Sequence, residues 1–150
     1  MSTLLGKELL NSQTFQQAIR HRSKGGEHNE RLEFLGDSIL GFVISTQLYQ
    51  QMPDASEGYL SRLRASLVNE NSLADIAVDL GVGEHLLLGP GELKSGGHRR
   101  KSILADAVEA IIACLYLEKG IDAAQTFILT IYKNRLYDLP SEQALKDPKS

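Results

Sequence analysis

Residues 29–51 and 102–118 set the limits on what this chain can fold into. Each stretch is apolar on nearly every side, yet each carries carboxylates at helical spacing. At about 100° of turn per residue, Glu30, Glu33 and Asp37 fall at i, i+3 and i+7, within an arc of roughly 60°. Leu32, Leu35 and Ile39 occupy the opposite face, as a core-facing stripe should. Phe34, Leu40, Gly41 and Ile44 form an apolar strip beside the acids. The second stretch repeats the arrangement, with Asp106 and Glu109 at i and i+3 among Ile103, Leu104, Val108, Ala110, Ile111 and Leu115. Two helices of this kind belong in a core, and their packing together brings four or five carboxylates into one partly buried groove.

Crowded anions repel. Two charges about 5 Å apart cost roughly 3 kcal/mol at an effective dielectric of 20. Protonation, pairing with a basic side chain, or a divalent cation can relieve that cost. Neither acidic face carries a basic residue, since Arg31 projects elsewhere. All-oxygen ligands favour a hard cation, magnesium being the usual one, and the lack of His or Cys in either stripe disfavours zinc. One acidic pair alone would read as a solvated helix face. The apolar surroundings and the second stripe reverse that reading.

The rest of the chain is also helical in pattern, so the expected fold class is all-α. A first helix is expected over 4–10, and a second through Phe15, Ala18 and Ile19 with Ser12 as N-cap. The long helix over 29–51 should stop at Met52-Pro53. Ser56 starts one that carries Leu60, Leu63, Leu67, Leu73, Ile76 and Leu80 and ends at Gly81. A glycine-rich loop is expected over 83–97, and further helices over 102–118 and 122–136.

With 150 residues, 42% of them hydrophobic, the chain suffices for one well-formed core. Its apolar stretches are broken by charge well short of the roughly twenty residues a membrane span needs, and no signal-peptide pattern opens it. The single cysteine, Cys114, fits a reducing cytoplasm and reads as a small buried hydrophobe. A net charge of −3 disfavours a generic nucleic-acid binder. The charge is unevenly spread, however: Arg20, His21, Arg22 and Lys24 precede the first acidic stretch, and His98, Arg99, Arg100 and Lys101 precede the second.

The run Asn29-Glu30-Arg31-Leu32-Glu33-Phe34-Leu35-Gly36-Asp37-Ser38 resembles the signature of the ribonuclease III family. The resemblance continues at Glu57-Gly58, Ser61-Arg62-Leu63-Arg64-Ala65, Leu88-Gly89-Pro90-Gly91-Glu92 and Ile103-Leu104-Ala105-Asp106-Ala107-Val108-Glu109-Ala110. It implies an endoribonuclease that hydrolyses double-stranded RNA with Mg2+, or with Mn2+ in its place, as a homodimer pairing its acidic helices. It further implies 5′-phosphate and 3′-hydroxyl ends with short 3′ overhangs, and a role in processing ribosomal RNA precursors and structured messenger RNAs. By the same resemblance Glu33, Asp37, Asp106 and Glu109 are catalytic residues and metal ligands, with Glu109 nearest the hydrolysis. Glu30 and Glu57 are accessory acids in substrate binding. Phe34 is a dimer contact, the alternative being an ordinary core phenylalanine. The basic flanks suit duplex RNA, which is read mostly through phosphates and 2′-hydroxyls.

Residues 1–139 are therefore expected to form the catalytic domain. Residues 140–150 resemble the start of a linker to a C-terminal double-stranded-RNA-binding domain. A non-catalytic, RNA-binding version of the fold would lack one or more acids, and all six are present. A P-loop is excluded over 89–95, because Leu93 stands where a glycine must precede the lysine. No His-Asp dipeptide of another phosphohydrolase type occurs.

Overall fold

Gly6, at φ +82°, divides the first helical stretch into α1 (Ser2–Leu5) and α2 (Lys7–Leu10). Ser12 then caps α3 (Gln13–Ala18), its hydroxyl accepting the Phe15 N–H at 3.1 Å. The computed structural model describes residues 1–143. Among them the one β-type pairing outside helices is a parallel bridge between Arg20 and Leu87. The all-α expectation holds.

The first acidic stretch forms α4 (Glu30–Gln51), which ends at Met52 ahead of Pro53. What the sequence pattern offered as one helix after Ser56 is two, α5 (Glu57–Leu67) and α6 (Glu70–Leu80). The break comes from Asn69, whose side-chain oxygen takes the Ser72 N–H at 2.8 Å and starts a new helix. The glycine-rich stretch is more ordered than expected. It holds α7 (Pro90–Lys94), with proline at its first turn, between 3₁₀ turns at Val82–Glu84 and Gly97–Arg99. The second acidic stretch forms α8 (Lys101–Lys119), followed by α9 (Ile121–Ile131) and α10 (Lys133–Tyr137).

Helix α8 is the axis of the core. From Ile103 to Leu115 every residue except Asp106 is buried. Helices α3, α4, α6 and α9 pack around it, the α4–α8 contact being the most extensive. Cys114 is fully buried here, and burial pushes its thiol up to about 12, so it packs as a hydrophobe.

A single domain of this size is expected to leave the apolar strip of α4 open to a partner helix, but most of the strip is covered within the protomer. Leu40 and Ile44 are 1% and 0% exposed. The face that opens to solvent at Asp37 is closed by the chain itself two turns later. What α4 exposes instead is Phe34 at 77%, Phe42 at 63% and Tyr49 at 75%. Phe34 is therefore not a core residue.

Of the expected linker, residues 140–142 lie against the start of α5. The Pro140 carbonyl accepts from the Tyr59 hydroxyl. The Glu142 carboxylate accepts the Ser56 N–H at 2.8 Å and the Ser56 hydroxyl at 2.7 Å, which suits a negative charge at a helix N-terminus. Residues 144–150 of that expected linker lie outside the described residues.

Candidate metal centre and cleft

The acids meet because α4 and α8 cross at almost backbone contact. A Cβ on Gly36 would stand 1.7 Å from the Glu109 carbonyl oxygen, so only glycine fits there. Around this contact the two helices present Glu33, Asp37, Asp106 and Glu109. One carboxylate oxygen from each of Glu33, Asp106 and Glu109 lies within 4.8 Å of the others. Glu109 is the deepest, 8% exposed, while Glu33 and Asp106 are half-buried. Asp37 is exposed, and its carboxylate is hydrogen-bonded to Glu109.

Without a cation the cluster holds protons. Burial, then the Asp37 hydrogen bond and the charges of Asp37, Glu33 and Asp106, push Glu109 up to about 9. Burial, followed by the charge of Asp106, raises Glu33 to about 7, and the Glu33 carboxyl donates to Asp106. Asp106 is also raised, by burial first, although the bond from Glu33 and the charges of His21 and Arg22 pull the other way. Among the described residues no Lys or Arg is ion-paired with any of these four acids; the pairs are Arg22–Glu30 at 3.4 Å and Arg100–Glu92 at 3.5 Å. A partly buried set of oxygen donors with no basic ion-pair partner fits a hard divalent cation.

Beside the acids an open cleft of about 520 Å³ is lined by Glu30, Glu33 and Asp106 together with His21, Arg22 and Asn29. Glu30 stands exposed at its mouth, held by Arg22. Glu57 is exposed in the first turn of α5 and is not among the residues that line this cleft or join the metal-capable group. Phe34 projects from α4 beside a second depression that Leu35 and Leu117 also line. In the basic cluster before α8, Arg100 is engaged with Glu92, and Lys101 donates to Asn71 at 3.0 Å.

A protein-family model described as ribonuclease-III-like matches residues 11–136. The chain belongs to that family. It is 56% identical over 146 residues to ribonuclease 3 of Alkalilimnicola ehrlichii, covering 97% of this chain and 64% of that relative. The chain thus spans less than two thirds of that relative's length. Among solved structures it is similar to the nuclease domain of ribonuclease III from Campylobacter jejuni, at TM-score 0.82 and 39% identity over 89% of this chain and 97% of that one. That structure is described by flexibility in its region involved in dimer formation. Dicer from Pichia stipitis is more distant, at TM-score 0.67 and 28% identity, covering 85% of this chain and 57% of that one.

Three residues near the site were not singled out as site residues from sequence. Glu70, in the first turn of α6, is close enough for its charge to act on Asp106. No helical spacing links it to either acidic stripe, because it arrives through the unexpected break at Asn69. His21 lies in a basic cluster, but nothing in the sequence turns it toward the acids. Gly36 sits inside the signature, and only the helix crossing shows what it is for.

Proposed function

We propose that the protein is an endoribonuclease that hydrolyses phosphodiester bonds of double-stranded RNA with magnesium, manganese being able to substitute. The observation that carries this is the grouping of Glu33, Asp106 and Glu109 within 4.8 Å at the edge of a cleft with basic side chains. Glu33, Asp37, Asp106 and Glu109 would hold the metal. A divalent cation there supplies a water acidified toward neutral pH and polarises the phosphate. Glu109 and Glu33 give up their protons as the site is loaded, so loading releases protons and strengthens as pH rises. Glu30 and Glu57 assist substrate placement from outside the cluster.

Products with 5′-phosphate and 3′-hydroxyl ends and short 3′ overhangs fit two such sites acting on opposite strands. The corresponding role is processing of ribosomal RNA precursors and structured messenger RNAs in the cytoplasm. No helix among the described residues is long and apolar enough to cross a membrane. Residues 1–139 serve as the catalytic domain in this reading, with 140–150 leading toward a double-stranded-RNA-binding domain. The direct test is incubation with a long RNA duplex and magnesium, followed by sizing of the products. A duplex left intact, or single-stranded RNA cut equally well, overturns the reading.

Two sites on one duplex require a dimer, and the exposed rings of Phe34 and Phe42 on α4 offer an isologous contact about a two-fold axis. Phe34→Ala removes two rings from such an interface. At about 1.5 kcal/mol or more per ring, the dimer Kd should rise about a hundredfold. Sedimentation reads this directly, and a parent that is monomeric at micromolar concentration ends the dimer proposal.

Affinity for RNA should rest on the few basic edges of the chain. Each phosphate contact steepens the dependence on salt. Cleavage measured between about 50 and 200 mM salt should therefore fall by a hundredfold or more, on the scale expected for several phosphate contacts. Equal rates across that range would place the binding energy elsewhere.

A further inference from the structure

We propose that His21 is a substrate-binding residue, a fixed donor that holds a phosphate oxygen of the RNA backbone beside the acidic cluster. The inference rests on the function proposed above. His21 comes from the loop after α3, where its own N–H is tied to the Leu87 carbonyl at 3.0 Å. Its ring Nδ1 accepts the Ser23 N–H at 3.1 Å and lies 2.8 Å from the Ser23 hydroxyl. That hydroxyl accepts the Gly89 N–H at 2.9 Å, leaving its own proton free for Nδ1. A backbone N–H can only donate, so Nδ1 is an acceptor and the neutral ring carries its proton on Nε2.

With Nδ1 turned to Ser23, the Nε2 edge is what the ring has left for the cleft it lines with Glu33 and Asp106. The imidazole lies within electrostatic reach of Asp106. Once ionised around a cation these carboxylates can only accept, so beyond that cation a phosphate brought to them needs hydrogen-bond donors from other residues of the cleft. Arg22, the other basic residue lining the cleft, is engaged with Glu30. His21 is the donor whose position two loops fix in advance, which lowers the entropy lost on binding.

The competing role is a purely structural one, capping the 3₁₀ turn Arg22–Lys24. Two variants separate them. In His21→Asn the side-chain oxygen stands near the place of Nδ1 and keeps the Ser23 bond, while the distal donor is lost. In His21→Gln the amide nitrogen reaches toward the place of Nε2, while the cap is lost. Steady-state cleavage of an RNA duplex in magnesium and thermal melting are measured on both.

If His21 binds phosphate, the Asn variant melts like the parent but its KM rises about tenfold or more, the scale of a hydrogen bond to a charged group. The Gln variant then keeps KM within about threefold although its melting temperature drops. The reverse order, or an Asn variant with the parent's KM, overturns the assignment alone. A parent that does not cut duplex RNA overturns the assignment and the proposed function together.

Discussion

Glu109→Gln should lower RNA cleavage by about a thousandfold or more, roughly 4 kcal/mol of barrier, while making the metal-free protein more stable. From sequence, the gain in stability comes from removing one of several crowded charges in the folded state. The structure relocates it. Glu109 is pushed up to about 9, so at neutral pH it already holds its proton in the folded protein. The unfolded chain, with an ordinary glutamate near 4.5, has lost that proton. Between these values the folded state binds more protons than the unfolded one. Stability that is complete below pH 4.5 is therefore lost as pH rises toward 9, by about 1 kcal/mol per unit for this group.

Glutamine does not titrate and can still donate to Asp37, so the variant escapes the loss. Its advantage should be small near pH 5 and should grow steadily toward pH 9. Magnesium should raise the melting temperature of the parent, more so at higher pH, and do much less for the variant. A carboxylate kept only for its hydrogen bonds would behave differently, since its replacement would destabilise the fold and magnesium would matter little. Melting curves of both proteins across pH, with and without magnesium, discriminate the two. A destabilised Glu109→Gln variant that still cuts RNA ends the metal-centre proposal.

The carboxylates were legible in the sequence because helical spacing fixes direction along one element. Glu33 and Asp37 on α4, and Asp106 and Glu109 on α8, follow from counting residues and noting apolar neighbours. The crossing follows from the same facts, since two helices buried on nearly all sides have few partners besides each other. What periodicity cannot give is the end of burial along a face. Ile44 lies within about 20° of Asp37 around the helix, and yet one is fully buried and the other exposed. The difference is made by neighbouring helices that the local pattern does not contain. The break at Asn69 was written in phase, not in spacing. At about 100° per residue Leu73, Ile76 and Leu80 lie roughly 140° around from Leu60, Leu63 and Leu67. One straight helix could not bury both sets on one face, and the Asn69 cap marks where the second helix starts. His21 and Glu70 reach the site through a loop and a helix start, where spacing carries no direction at all.

Gly36→Ala should be the most damaging small substitution in the chain. Its new Cβ would meet the Glu109 carbonyl oxygen at 1.7 Å and the carbonyl carbon at 2.5 Å. These are backbone atoms of a buried helix, so no side chain can swing aside. Helices α4 and α8 must separate by more than 1 Å at their closest point, opening gaps along the largest contact in the fold. Overpacking in a core typically costs 1–3 kcal/mol, and backbone against backbone belongs at or above the top of that range. A loss of about 3 kcal/mol lowers the melting temperature of a 150-residue domain by roughly 10 °C. The same movement carries Glu33 and Asp37 away from Glu109, and about 1 Å of misplacement costs on the order of a hundredfold in rate. Gly41 provides the control on the same helix. A Cβ there meets nothing within 4 Å, so Gly41→Ala should gain about 0.5–1 kcal/mol from helix propensity in the isolated protomer. Melting of the two variants side by side tests whether the close approach at Gly36 assembles the site. A Gly36→Ala protein that melts within a degree of the parent and cleaves RNA normally would show that α4 and α8 need not meet so closely.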